Sequence, residues 1–191
     1  MKSPALLIRP LDELRFEWSD GETMASGEDE ALATAVGNRH LVLAVPGERV
    51  TLTAVQAPRR NRGAWRKALP YALEDQLVED VEQLHFALGA EAADGHTPVA
   101  VLRRAELTRW LERLRAQGLE PRAAIPDCLL LPLPEGHWSL LADGDHIRVR
   151  TGAAAGFVAD PDSLGPLLEL ARREGEPAGI VIYGEVPPLP A

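Results

Sequence analysis

Cysteine is almost missing from this 191-residue chain: the single thiol, Cys128, permits neither an internal disulfide nor a multi-thiolate zinc site. No run approaches the eighteen or so continuous apolar residues that span a bilayer. Arg9, Asp12 and Glu13 interrupt the N-terminus too early for a signal peptide, so the sequence reads as soluble and cytoplasmic. Positive charge is also short: 20 Lys and Arg against 29 Asp and Glu leave a net charge of −9, which sets nucleic acid aside as a partner. The five histidines, His40, His85, His96, His137 and His146, show no i, i+4 pairing and no H-E-x-x-H, so no metal site is expected. There is no G-x-x-x-x-G-K-[ST], no G-x-G-x-x-G and no G-x-S-x-G, and therefore no catalytic residue to name. Fixed-period repeats and low-complexity tracts are lacking too. With 46% apolar residues the chain nevertheless has enough to bury a substantial core, in one domain or two.

What is there centres on Arg59 to Leu88. Trp65, Leu69, Leu73 and Leu77 recur every four residues, an apolar stripe that a helix must bury. Pro70 interrupts it, and the pattern predicts a kink or two abutting helices over 62–69 and 70–79. Arg59, Arg60, Arg62, Arg66 and Lys67 crowd the start, while Glu74, Asp75, Glu79, Asp80 and Glu82 crowd the end, the reverse of what the helix macrodipole favours. Two explanations stand side by side: a solvated face paired within its own domain, or a docking surface.

Around this segment the elements read as follows. Ala5 to Arg9 and Leu14 to Trp18 form a hairpin, with a third strand near Glu22 to Ala25. Glu28 to Val36 is a helix with Ser26 as N-cap. Leu41 to Val45 is a strand covered on both faces, and Val50 to Gln56 its neighbour. Leu84 to Leu88 and Pro98 to Leu102 are strands, Glu106 to Gln117 a helix, and Glu120 to Ile125 a strand, together a compact α+β unit. Cys128 to Leu131 is a buried apolar run. Trp138 to Ala142 and His146 to Arg150 flank the hairpin turn Asp143-Gly144-Asp145, and Gly156 to Ala159 adds a third strand. A helix over Ser163 to Glu174, capped by Asp162 or Ser163, precedes a strand from Gly179 to Tyr183.

Ala68-Leu69-Pro70-Tyr71-Ala72-Leu73-Glu74-Asp75-Gln76-Leu77, a short acidic link and Leu84-His85-Phe86-Ala87-Leu88 together resemble the cytoplasmic part of the L protein of bacterial type II secretion systems. Leu41 to Gly47 followed by Val50 to Leu52 fits the strand that precedes this segment in the family, and the similarity runs from about Leu41 to Leu133. The resemblance implies an α+β, α/β fold of actin-like type: a first ribonuclease-H-like lobe over 1–60, an inserted small α+β subdomain over 61–133 with the kinked acidic helix, and the start of a second lobe over 134–191. It implies a longer protein with one transmembrane helix and a periplasmic domain after this part, and a place for this part at the cytoplasmic face of the inner membrane. The partners it implies are the N-terminal domain of the secretion ATPase, the M-type and F-type proteins of the inner-membrane platform, and a second copy of the chain. Arg59, Arg60 and Arg62 are candidates for contact with anionic lipid headgroups.

An actin-like fold raises the question of nucleotide. The first hairpin of such an ATPase cradles phosphate on glycine-enabled amides, but Pro10-Leu11-Asp12-Glu13 has no glycine, adds two carboxylates and loses a donor at Pro10. Asp143-Gly144-Asp145 lacks a Ser/Thr-Gly run. The expectation is a non-catalytic scaffold without cofactor, docking through Glu74, Asp75, Glu79, Asp80 and Glu82 with Leu73 and Leu77 as apolar anchors. The competing reading is a vestigial nucleotide-binding switch or weak ATPase.

Overall fold

The structure, a computed structural model, describes residues 5–56 and 62–184. Arg59, Arg60 and the Pro-rich stretch from Val186 to Ala191 lie outside these residues, as does the side chain of Arg62. In chain order the elements are β1 (Ala5–Pro10), β2 (Arg15–Ser19), β3 (Met24–Glu28), α1 (Asp29–Val36), β4 (His40–Val45), β5 (Thr51–Gln56), α2 (Arg62–Leu73), β6 (Leu84–Leu88), β7 (His96–Arg103), α3 (Arg104–Ala116), β8 (Pro121–Pro126), β9 (His137–Asp143), β10 (His146–Arg150), β11 (Gly156–Ala159), α4 (Pro161–Arg172) and β12 (Gly179–Tyr183). Single 3-10 turns lie at Gly47–Arg49, Glu74–Gln76, Val81–Gln83 and Asp127–Leu130.

Among the described residues three sheets form. The first runs β3-β2-β1-β4-β8: an antiparallel meander, then β4 parallel to β1 and β8 parallel to β4. Alternation puts Leu6, Ile8, Phe16, Leu41 and Leu43 in one buried cluster with Leu32 and Val36 of α1 and Trp110 and Leu114 of α3. The Arg113 guanidinium stacks 4.4 Å from the Phe16 ring centroid and pairs with Asp29, tying α3 to the meander and to α1. The second sheet runs β11-β10-β9-β12, with β12 parallel to β9, and α4 sets Leu164 and Leu168 against Trp138, Leu140, Ile147 and Val149. The third, β5-β7-β6, is antiparallel and packs on α2 through Leu69, Leu73, Leu84, Val99 and Val101.

Several local expectations change. Val50 to Gln56 does not neighbour Leu41 to Val45; β5 pairs with β7, Leu52 opposite Ala100 and Val55 opposite Thr97. The 3-10 turn at Gly47–Arg49 lifts the chain off the first sheet, a redirection that alternation alone does not encode. The strand expected over Glu120 to Ile125 joins the first sheet instead of the small one, with Ala44 beside Ile125. Ser26 lies inside β3 and caps nothing; Glu28 takes the N-cap place with no side-chain bond, and Asp29 and Glu30 put negative charge on the first turn. On α4 the cap is Asp160, whose carboxylate accepts from the Ser163 amide at 2.7 Å, with Pro161 fitting the first turn, where its missing N–H costs nothing.

Candidate functional site

The segment over 62–83 folds as one helix and a strap, not as two helices. Its helix passes through Pro70 and stops at Leu73; a 3-10 turn over Glu74–Gln76 follows, and Leu77 is extended at φ −111°, ψ 142°. Asp80 then opens a second 3-10 turn, its carboxylate accepting from the Glu82 amide at 2.9 Å. The helix end explains the burial of each apolar residue. Leu69 and Leu73, one turn apart, face the small sheet and are each 1% exposed, worth about 1.5–3 kcal/mol apiece in removal from water. Leu77 tucks half-buried against the same cluster from the extended strap, and the next side chain must therefore point out: Val78 is 104% exposed. Leu73 is thus a core residue and not the surface anchor expected of it. The residue that stands up from the strap is Val78, which periodicity had not singled out.

The five carboxylates separate by partner. Glu79 accepts from the Arg103 guanidinium at 2.8 and 2.9 Å, and these bonds hold its carboxyl below the usual range. Asp80 is taken up as a cap. Glu74, Asp75 and Glu82 are exposed and have no ion-pair partner among the described residues. Beside the strap runs a groove of about 350 Å³, bounded by Leu77, Val78 and Glu79 on one side and by Arg49, Arg103 and Glu106 on the other. Arg49 and Glu106 face each other at 3.5 Å, so the groove carries both signs of charge, while the outer strap is acidic around one apolar residue.

Where the two larger sheets meet, the polar side chains bond one another. In the β1–β2 turn, Asp12 accepts from the Leu14 and Arg15 amides at 2.8 Å each and pairs with the Arg15 side chain, so the turn's donors are turned inward onto its own carboxylate. Deeper in, Asp127 is 5% exposed and accepts from Arg9 Nε at 2.9 Å, Arg148 Nε at 2.7 Å and the Gly47 amide at 2.9 Å. Arg9 comes from β1 and Arg148 from β10, so one carboxylate ties the first sheet to the second. Burial works against the Arg148 cation, but hydrogen bonds to Asp127 and Asp143 outweigh it and hold the guanidinium above its usual pKa. Next to this network, burial and the Asp127 charge push the Cys128 thiol up to about 12, which keeps it a protonated core residue. No group of three metal-ligating side chains occurs among the described residues, and no described helix is long and apolar enough to cross a membrane.

Two antiparallel meanders, each returned through a helix to a parallel fourth strand, with a small α+β unit beside the first, define a domain of the actin-like fold class. A solved structure with an actin-like ATPase fold from Bacteroides thetaiotaomicron superposes with a TM-score of 0.52 at 10% identity, covering 96% of this chain and 83% of that one, a likeness of fold alone. The family model for type II secretion system protein L matches residues 17–189, and the chain belongs to that family. The match reaches well beyond the Leu41 to Leu133 stretch in which the resemblance was first legible. The chain is 32% identical over 181 residues to the type II secretion system protein L of Pectobacterium carotovorum, covering 88% of this chain and 42% of that protein. The Pseudomonas aeruginosa relative is 38% identical over 121 residues, 63% of this chain and 31% of its own length. Among solved structures, the cytoplasmic domain of EpsL, an inner-membrane component of the type II secretion system of Vibrio cholerae, superposes with a TM-score of 0.82 at 26% identity, over 97% of this chain and 84% of that domain. This chain therefore spans about two fifths of the length of the curated relatives it matches.

Proposed function

We propose that this chain is the cytoplasmic part of an inner-membrane secretion protein and acts as a non-catalytic scaffold that recruits the secretion ATPase by binding its N-terminal domain. The observation that carries the reading is the strap: Val78 fully exposed, flanked by Glu74, Asp75 and Glu82, none of which has an ion-pair partner among the described residues. An apolar centre in a charged rim is what a docking surface needs, the centre for affinity and the rim for steering and register. A basic partner surface with an apolar socket matches it. In this reading Glu79 and Asp80 hold the strap in shape, through Arg103 and the Glu82 amide, and Leu77 anchors it to the core. The unit formed by α2 and the small sheet is the platform on which the strap is displayed. The M-type and F-type platform proteins and a second copy of the chain are the further partners.

A nucleotide switch finds no support in the geometry, since the amides of the first turn bond Asp12 and the interlobe cleft is bridged by Arg9, Asp127 and Arg148. Calorimetry with the N-terminal domain of a secretion ATPase tests the scaffold reading. Saturable binding is expected, weakened at least about tenfold by the triple change Glu74→Lys, Asp75→Lys, Glu82→Lys, with a shallower salt dependence. The same affinity for the triple variant at low and high salt would remove the strap from the interface.

A further inference from the structure

The small sheet β5-β7-β6 has one covered face and one open face. Alternation sends Val55, Phe86, Leu88, Val99 and Val101 to the first, where α2, twelve residues long, packs on them. The opposite face takes Leu52, Ala54, Ala87, Pro98 and Ala100, with Ala100 between Leu52 and Ala87 and Ala54 beside Pro98. Leu102, at one end, is buried with α3, but these five belong to none of the three buried clusters. Ala54 and Ala87 are exposed and the other three half-buried.

An antiparallel sheet with one face in water ordinarily alternates apolar inward and polar outward. This one does not. None of its three strands turns Asp, Glu, Lys or Arg to the open face, in a chain in which 26% of residues carry those charges, and the polar Gln56, His85 and His96 stand only at its two ends. Nor does strand propensity account for the choice, since alanine and proline are both disfavoured in strands. What three alanines, a proline and a leucine provide is a flat apolar floor, low enough for a neighbour's side chains to reach the sheet.

Three strands about 4.8 Å apart, with the five residues of β6 at about 3.4 Å each, make a floor about 14 Å wide and about 17 Å long. That is the footprint of one helix, about 10–12 Å across with its side chains and about 11 residues long at 1.5 Å per residue. On the other face of the same strands α2 supplies the precedent, with twelve residues. A second copy of the chain fits less well, because a floor of about 240 Å² falls short of the roughly 800 Å² that each partner buries in a stable complex. A lipid surface is not matched either, since anionic headgroups are held by Lys and Arg and the floor has none. We propose that the open face of the small sheet seats one amphipathic helix of a partner protein, its stripe of large aliphatic side chains resting on Ala54, Ala87 and Ala100 and its charges turned away. The strap lies on the α2 side, tied to that cluster through Leu77, so this surface goes beyond the recruitment reading.

A benzophenone amino acid placed at position 54, and separately at position 87, of the whole protein in the cells that make it tests the proposal by light-driven cross-linking and mass spectrometry. Marks are expected on a single segment of one partner protein, three or four residues apart, the spacing of a helix face. Ala87→Glu is expected to cut the marking from position 54 at least about tenfold, because its carboxylate would be buried unpaired beneath the helix. Ala54→Glu should do the same to the marking from position 87, and both exposed positions should leave the melting midpoint unchanged. Val78→Ser is expected to leave the marking as it is, which separates failure of the strap reading from failure here. Marks on a second copy of the chain or on lipid, marks at every second residue of an extended segment, or no marks at all overturn the proposal, as does marking that survives both glutamates.

Discussion

Removing the carboxylate of Asp127 probes how the two large sheets are held together. The group is 5% exposed, and its two oxygens serve Arg9, Arg148 and the Gly47 amide. Truncating one partner of a buried ion pair usually costs about 3–5 kcal/mol, because the charge left behind has lost both water and its counter-ion. Here the loss is cushioned. Arg148 keeps Asp143 at 2.9 Å and Arg9 keeps Glu48 at 3.2 Å, so Asp127→Ala belongs at the lower end, about 3 kcal/mol. For a chain of this size that corresponds to a fall of about 6–12 °C in melting midpoint. Differential scanning calorimetry measures the fall directly. The double variant Asp127→Leu, Arg148→Met should recover at least half of it, since apolar groups of similar volume replace a buried pair with little loss or with gain. A midpoint within about 2 °C of the parent for Asp127→Ala would show that the network is not what couples the sheets and would refute the reasoning.

Three further outcomes are expected. A Cβ on Gly156 would sit 2.5 Å from the Val149 carbonyl oxygen, so Gly156→Ala should cost about 1–3 kcal/mol in urea unfolding; Gly63→Ala, with nothing within 4 Å in α2, should be neutral or gain up to about 1 kcal/mol. Leu73→Ala should destabilise by about 2–5 kcal/mol, whereas Val78→Ser should stay within about 0.5 kcal/mol while weakening the partner, a pair that separates core from docking residue in circular dichroism and calorimetry. Burial, and secondarily the Arg104 charge, hold His85 below its usual value of 6.5; the unfolded chain then binds the proton first, so stability is complete above about pH 6.5 and declines as pH falls through it. Asp20, held at about 2 by the Thr23 and Glu22 amides, loses its contribution as pH drops from its usual 3.8 toward that value. Urea midpoints for His85→Gln should lose the first decline and keep the second.

What the sequence made legible were features set by neighbours a few residues apart. The α3 stripe of Trp110 and Leu114, the Asp143-Gly144-Asp145 turn and the first hairpin are all found where spacing put them. Pairing partners were not legible. β5 and β8 carry the alternation of strands, but which sheet each joins depends on the Gly47–Arg49 turn and on the register of β4, neither of which periodicity reports. The role of Asp127 was not legible either, because Arg9 lies 118 positions away from it and Arg148 lies 21.

The strap shows how one helix boundary decides which residues are available for function. Had the helix continued to 79, Leu77 would have extended the buried stripe and Val78 would have lain beside it among carboxylates opposed to the macrodipole. The helix instead stops at Leu73, so three of the five carboxylates leave it altogether: Glu79 goes to Arg103, Asp80 caps a later 3-10 turn and Glu82 faces solvent, while Glu74 and Asp75 stay on the 3-10 turn that follows the helix. Ending the helix at Leu73 thus takes Glu79, Asp80 and Glu82 away from its C-terminus, and the same ending brings Val78 to the surface.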